Sequence, residues 1–221
     1  MGRGPPQAQF VTYELPESRV LGHAILSPPI GLNVGKEGCT EDWAVIAIDA
    51  SKIDRTNFIG NAIDLGTHIP ADTLKRMMYP DIRNPASFKY LDDRLLRLKG
   101  TITKSEMRHP TAIDHAGEPC LMVMKRGKAT GLTVGRANGI RPYTRYYSNI
   151  TGTSTEWAIL PLDSDSGPFS DKGDSGAVIV DGLGRIGGLL TAGAGITDST
   201  DITYASPIGF LLECRPMQNT Q

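Results

Sequence analysis

Ser175 stands in the run Ser170-Asp171-Lys172-Gly173-Asp174-Ser175-Gly176-Ala177-Val178-Ile179-Val180, a glycine-flanked turn that opens directly into an apolar, β-branched stretch. A serine hydroxyl is a weak nucleophile at neutral pH, so acyl transfer needs a base beside it and backbone N–H groups aimed at the developing oxyanion. Glycine lets peptide N–H groups crowd a reacting atom, because it has no Cβ and tolerates positive φ. Gly173 and Gly176 sit where that freedom is needed, and the N–H groups of Gly173 and Ser175 are the candidate oxyanion donors. Gly, Asp and Ser are also ordinary turn residues, so the run reads as well as a β-turn feeding a strand.

The segment after the serine indicates the scaffold. Ala177 to Val180 is apolar, Asp181-Gly182-Leu183-Gly184 supplies a turn, and Arg185-Ile186-Gly187-Gly188-Leu189-Leu190 returns, which predicts a hairpin. The nucleophile elbow of α/β-hydrolases needs G-x-S-x-G between a strand and a helix. Here Ala177 holds the last motif position and a strand comes next, which argues against that fold. The second stretch with chemistry in it is Glu41-Asp42-Trp43-Ala44-Val45-Ile46-Ala47-Ile48-Asp49. An acid opens an apolar run long enough to sit in a sheet interior. Such a carboxylate can orient an imidazole, or it can simply cap a turn at a strand end.

These residues resemble the chymotrypsin-like (trypsin-like) serine peptidase family. Gly173-Asp174-Ser175-Gly176 is similar to that family's nucleophile loop, and Thr191-Ala192-Gly193 stands where its substrate-pairing strand lies. In the family's aspartate strand the acid comes first, so Asp42 rather than Asp49 takes the triad position. The likeness departs after Gly176, where Ala177-Val178 replaces Gly-Pro. Asp201-Ile202-Thr203-Tyr204-Ala205-Ser206-Pro207-Ile208 further resembles a fungal intracellular-type group.

The resemblance implies an all-β, double-barrel fold and endopeptidase hydrolysis of a peptide or protein substrate, with no metal and no organic cofactor. Ser175 would attack, Asp42 would orient the base, and Gly173 and Ser175 would hold the oxyanion. Ser175 and Asp42 oxygens would then stand roughly 6–9 Å apart, the span of one imidazole. Phe169 falls six residues before Ser175, where the family sets the floor of its primary pocket. An apolar floor implies preference for small or apolar side chains over Lys or Arg. Thr191, Ala192 and Gly193 would complete the substrate-binding set.

The family runs His, Asp, Ser along the chain. The stretch before Asp42 is too short for the strands that should carry that His, and His23 is the one histidine in it. His23 shares a face with Leu21 and Ile25 in the predicted strand Val20 to Leu26 and reads as structural. The expectation is a fragment lacking the His-bearing part, with an incomplete first barrel, and inert as this chain. The rival reading is a non-catalytic protein-binding module on the same fold.

The elements that must position these groups begin with a polar lead-in over residues 1–16. Residues 17–102 make a partial first barrel, 103–117 a linker and 118–221 a complete second barrel. The 25 glycines and 15 prolines among 221 residues suit many turns between short strands. A helix is expected near Asp72 to Met78, ended by Tyr79-Pro80, and strands over Arg94 to Ile102, Cys120 to Met124, Leu132 to Val134 and Trp157 to Leu160. Ser206-Pro207 can cap a short terminal helix carrying Ile208, Leu211 and Leu212. His109 and His115 read as solvated loop residues. Lys125 to Gly131 lacks the spacing of a phosphate loop, and Asp163 to Gly167 fails the calcium-loop pattern.

Charge excludes some partners. Twenty-three Lys and Arg against 24 Asp and Glu give a net charge of −1, so there is no electrostatic case for nucleic acid or an anionic membrane. The cluster of Arg136, Arg141, Tyr143, Arg145, Tyr146 and Tyr147 could stack on single strands, but at this net charge a hairpin rim or substrate-loop surface is favoured. No apolar run reaches membrane-spanning length, and the start Met-Gly-Arg-Gly-Pro-Pro has no signal core. Cys39, Cys120 and Cys214 are odd in number and widely spaced, which favours a reducing, cytoplasmic setting.

Overall fold

Strand succeeds strand along most of the chain in the computed structural model, which describes residues 20–81, 83–84, 88–147, 151–195 and 201–214. The expected lead-in, 1–16, lies outside the described residues. In chain order the strands are β1 (Gly22–Leu26), β2 (Gly31–Val34), β3 (Cys39–Glu41), β4 (Val45–Ile48), β5 (Ala62–Asp64), β6 (Leu95–Arg97), β7 (Ala112–Ile113) and β8 (Pro119–Gly127). They continue with β9 (Gly131–Ala137), β10 (Tyr143–Tyr147), β11 (Thr151–Thr155), β12 (Trp157–Pro161), β13 (Val178–Asp181), β14 (Ile186–Ala194) and β15 (Ile202–Pro207). The helices are α1 (Ala71–Met78), α2 (Lys104–Arg108) and α3 (Ile208–Cys214).

Six strands close on themselves in the order β8-β13-β14-β15-β12-β9, every neighbour antiparallel, with β7 added beside β8. Closure removes the sheet edges that an open sheet would expose. Every one of the six sends an apolar side chain to a shared interior: Val123, Ala137, Trp157, Ile159, Ile179, Leu190 and Ala205. The interior is filled by setting large rings against glycines. A Cβ on Gly135 would meet the Phe169 ring at 2.6 Å and the Leu160 carbonyl oxygen at 2.7 Å, and one on Gly187 would meet the Trp157 ring at 2.6 Å. The opposite face of β8, through Cys120, Met122 and Met124, packs under β5, β6 and α1 by way of Ile63, Leu96, Leu74 and Met78. The all-β class, the barrel and the short C-terminal helix are as expected.

Residues 103–117 are more than a linker. Thr103 and Glu106 form a reciprocal capping box on α2, with the Thr103 hydroxyl accepting the Glu106 N–H at 3.2 Å and Glu106 accepting the Thr103 N–H at 3.0 Å. Met107 is buried, and buried Asp114 accepts the N–H groups of Ala116 and Glu118 and an N–H of Arg136. Local chemistry that reads as a polar connection is therefore bonded into the barrel wall. His109 and His115 are exposed, as expected. At the chain's end β15 runs through Pro207, and α3 begins directly after it, burying Phe210 and Leu211 while Leu212 stays 50% exposed.

The described chain divides into two units, 29–43 with 59 onward, which contains the barrel, and 20–28 with 44–58. The expected break between 17–102 and 118–221 does not coincide with this division, because residues 59–102 pack on β8. In the smaller unit β1 and β4 form an antiparallel pair, with His23 opposite Ala47. The run 41–49 is thus two strands interrupted at Asp42, and not one strand of a sheet interior. Among the described residues each of β1 and β4 has a single partner, which leaves Ile46 and Ile48 at 59% and 58% exposed. His23 is exposed rather than packed.

A buried polar network holds β3, the strand leading to Asp42. Thr40 and Ser154 hydroxyls donate to one carboxyl oxygen of Glu156, the latter at 2.6 Å, and the Ser206 hydroxyl donates to the Thr40 carbonyl at 2.8 Å. Burial pushes the Glu156 carboxyl above its ordinary pKa, against the pull of those hydrogen bonds. A raised acid stabilises the fold fully below its unfolded value, near about pH 4.3, and that contribution is lost as pH rises through the folded value. Glu156→Gln cannot ionise. Its urea midpoint relative to the native chain is expected to improve steadily from acid to alkaline pH, and parallel profiles would contradict the assignment.

Candidate active site

The turn that carries Ser175 is anchored by the residue before it. Asp174, 1% exposed, accepts the Ala129 N–H at 2.7 Å, the Thr130 hydroxyl at 2.7 Å and the Asp171 N–H at 3.3 Å, and its carboxylate lies 3.0 Å from the Lys125 ammonium. Lys125 is 0% exposed and also donates to Thr130 and to the Gly131 carbonyl. The pair sits in a space shaped for it, since a Cβ on Gly127 would meet the Asp174 carboxylate at 2.1 Å. Burial works against the Asp174 charge, but the bonds from Thr130, Lys125 and the two N–H groups outweigh it and hold the carboxyl well below the usual range. Burial also draws the Lys125 ammonium below its ordinary value, opposed by Asp174. The ion pair is retained because every member of the cluster has a partner.

With Asp174 pinned inward, Ser175 faces outward and is exposed. Gly173 has φ +108° and Gly176 φ +81°, conformations open to glycine and strained for other residues. The Gly176 N–H donates to the Leu190 carbonyl at 2.7 Å, and the Leu190 N–H to the Ala177 carbonyl at 3.0 Å, which ties the turn to β14. Among the described residues, neither the Gly173 N–H nor the Ser175 N–H has an acceptor. Both amides belong to the turn that carries the exposed hydroxyl.

A groove of about 270 Å³ opens beside Ser175, bordered by Ser170, Asp171 and Lys172 and by Leu190, residues 192–195 and Asp201. On one side β14 pairs with β15 out to Ala194, but on the other its pairing with β13 runs between Ile186 and Leu189. Beyond Leu190 that edge has no strand partner among the described residues, so an extended peptide could add to it.

Ser175, Ala192 and Gly193 are brought together at this groove, with Gly173 in the same turn. Thr191 shares the strand, but its hydroxyl donates to the Tyr204 carbonyl at 3.2 Å. Phe169 is not at the groove. Its ring is 1% exposed in the barrel interior, 5.7 Å from the Lys125 ammonium, and Ser170 borders the groove in its stead, sharing a 2.6 Å bond with the Thr203 hydroxyl. Phe169 therefore gives the groove no apolar floor, and the preference expected from one loses its basis. Asp42 lies exposed between β3 and β4 and is not among the groove's residues. No histidine borders the groove among the described residues.

Sequence reasoning missed Lys125 and Thr130. The signal was present: Val123 faces the interior, and the period of two then directs Lys125 inward, where a lysine demands a counter-charge.

No family model and no curated protein matches the chain. Among solved structures, Thermobifida fusca Protease A is similar at 22% identity over 56% of this chain and 54% of its own, with a TM-score of 0.39. The Nocardiopsis protease shows 18% identity over 54% and 51%, TM-score 0.38, and the Cellulomonas bogoriensis chymotrypsin 16% over 57% and 56%, TM-score 0.39. The chain spans about half the length of these structures. Likeness this slight assigns no role to any residue.

Proposed function

We propose that the chain is a serine-peptidase-like module. Ser175 is its nucleophile, the Gly173 and Ser175 N–H groups receive the oxyanion, and the free edge of β14 with Ala192 and Gly193 holds an extended peptide. The observation that supports this reading best is an exposed hydroxyl on a turn fixed by a buried ion pair, with two amides in that turn that have no acceptor among the described residues. Asp42 remains the proposed orienter of a base.

The groove borders no imidazole among the described residues, which favours a chain nearly inert by itself and sustains the second reading, a peptide-binding module without turnover. Oxyanion donors and binding alone supply about 10³–10⁴-fold over water, whereas removing the triad His costs on the order of 10⁶ in turnover. A fluorophosphonate probe is therefore expected to label the native chain no faster than Ser175→Ala. Stoichiometric labelling that vanishes in Ser175→Ala would make the chain an active serine hydrolase. In either case an extended acetylated peptide should shift the amide resonances of Gly173, Ser175 and residues 191–195. Shifts confined to other residues would sink both readings.

A further inference from the structure

A second concavity, of about 80 Å³, lies among β12, α2 and α3 and shares no bordering residue with the Ser175 groove. Its apolar walls are Ile102, Met107, Trp157 and Phe210, each no more than 9% exposed. Its charged border holds Lys104, Arg108 and Arg141 against Glu37 and Glu213, three cations to two carboxylates. Glu37 pairs with all three cations, and a terminal nitrogen of Arg141 donates to the Cys39 sulfur at 3.1 Å.

Two donors remain after those bonds are drawn. The Arg141 Nε–H and the Trp157 indole N–H are shut off from solvent and have no hydrogen-bond partner among the described residues, and the bordering acceptor in the same state, Glu37 Oε1, lies against the Lys104 and Arg108 cations. Trp157 is 2% exposed, so its donor belongs to a buried side chain. Native interiors seldom leave such groups unmet, and an orphan donor at a cavity calls for an acceptor within it. The excess of positive charge makes that acceptor an anion. The four apolar walls require that it also carry hydrocarbon, which water or an inorganic anion lacks.

Size narrows the class further. The volume is roughly half that of a cavity known to take benzene, at about 150 Å³, so it suits about three or four non-hydrogen atoms, the carboxylate included. We propose that this cavity binds a short-chain aliphatic monocarboxylate, its carboxylate accepting from Trp157 and Arg141 and its tail lying against Ile102, Met107 and Phe210. An amine of the same length is repelled by the border, and an alcohol forgoes the charge.

The test uses the full chain, ¹⁵N-labelled, titrated with acetate while the indole N–H resonances of its two tryptophans are monitored. The Trp157 resonance is expected to shift and saturate at millimolar acetate, with a parallel rise in Tm, while ethylamine and ethanol leave it in place. Trp157→Phe keeps an aromatic ring and removes the donor, and should weaken the affinity for acetate about tenfold or more, read from the rise in Tm. Should that variant fold poorly, Arg141→Lys keeps the charge, lacks the Nε–H, and is expected to weaken binding by a similar factor as read from the Trp157 resonance. Equal shifts with all three compounds, no saturation, or affinity unchanged in the folded variant would each overturn the assignment.

Discussion

Lys125→Met is expected to lower the free energy of unfolding by about 3–5 kcal/mol, the loss typical of breaking a buried ion pair from one side. The magnitude comes less from the attraction lost than from the charge left behind. Asp174 is 1% exposed, and without Lys125 its carboxylate keeps the Thr130 hydroxyl and backbone N–H groups but no counter-charge. Urea unfolding at neutral pH measures the effect. A companion variant, Lys125→Met with Asp174→Leu, removes both charges and should recover much of the stability, since apolar replacement of a whole buried pair is often neutral or better. It should not recover the Ser175 turn, because the bonds from Ala129, Thr130 and Asp171 to the carboxylate are gone. A loss below about 1 kcal/mol in Lys125→Met would mean that the pair is hydrated or mispaired.

Phe169→Ala is expected to cost a similar amount, about 3–5 kcal/mol, as a large ring removed from a closed interior. The ring is 1% exposed and fills the space left by Gly135, so the barrel cannot collapse onto the hole without moving the β9 and β12 backbones. The two roles open to Phe169 separate cleanly in this variant. A core ring gives a large drop in urea midpoint with unchanged peptide preference at the groove, whereas a pocket floor gives altered preference with little loss of stability. The structure supports the first outcome.

The hairpin after Ser175 is legible in the sequence because two local signals agree: short apolar runs at Ala177 to Val180 and Ile186 to Leu190, and turn chemistry between them at Asp181-Gly182-Leu183-Gly184. The helix at Asp72 to Met78 is legible for the same reason. Asp42 is not placed by such signals, because the apolar run from Ala44 to Ile48 reads identically whether a strand has one neighbour or two, and only the tertiary pairing distinguishes them. The offset that puts Phe169 at the groove fails by a single residue. Phe169 turns into the barrel interior and Ser170 borders the groove in its place, which no local pattern in the sequence distinguishes. The anchor of the Ser175 turn is hidden by distance, since Thr130 and Asp174 lie 44 positions apart and nothing in either segment names the other.

That same separation also sets an order in time. The barrel closes where β13 docks on β8, with Ile179 opposite Lys125, and the Asp174 cluster spans the identical seam. Loop-closure entropy must be met before contacts between such remote segments return any free energy, and barrels built from non-local pairings fold in milliseconds to seconds. Until the seam forms, Asp174 has no ammonium to bond and the Gly173 to Gly176 turn has no fixed shape. In a nascent or partly assembled chain Ser175 therefore sits on an unshaped loop, and the geometry of its turn arrives together with the finished barrel, never ahead of it.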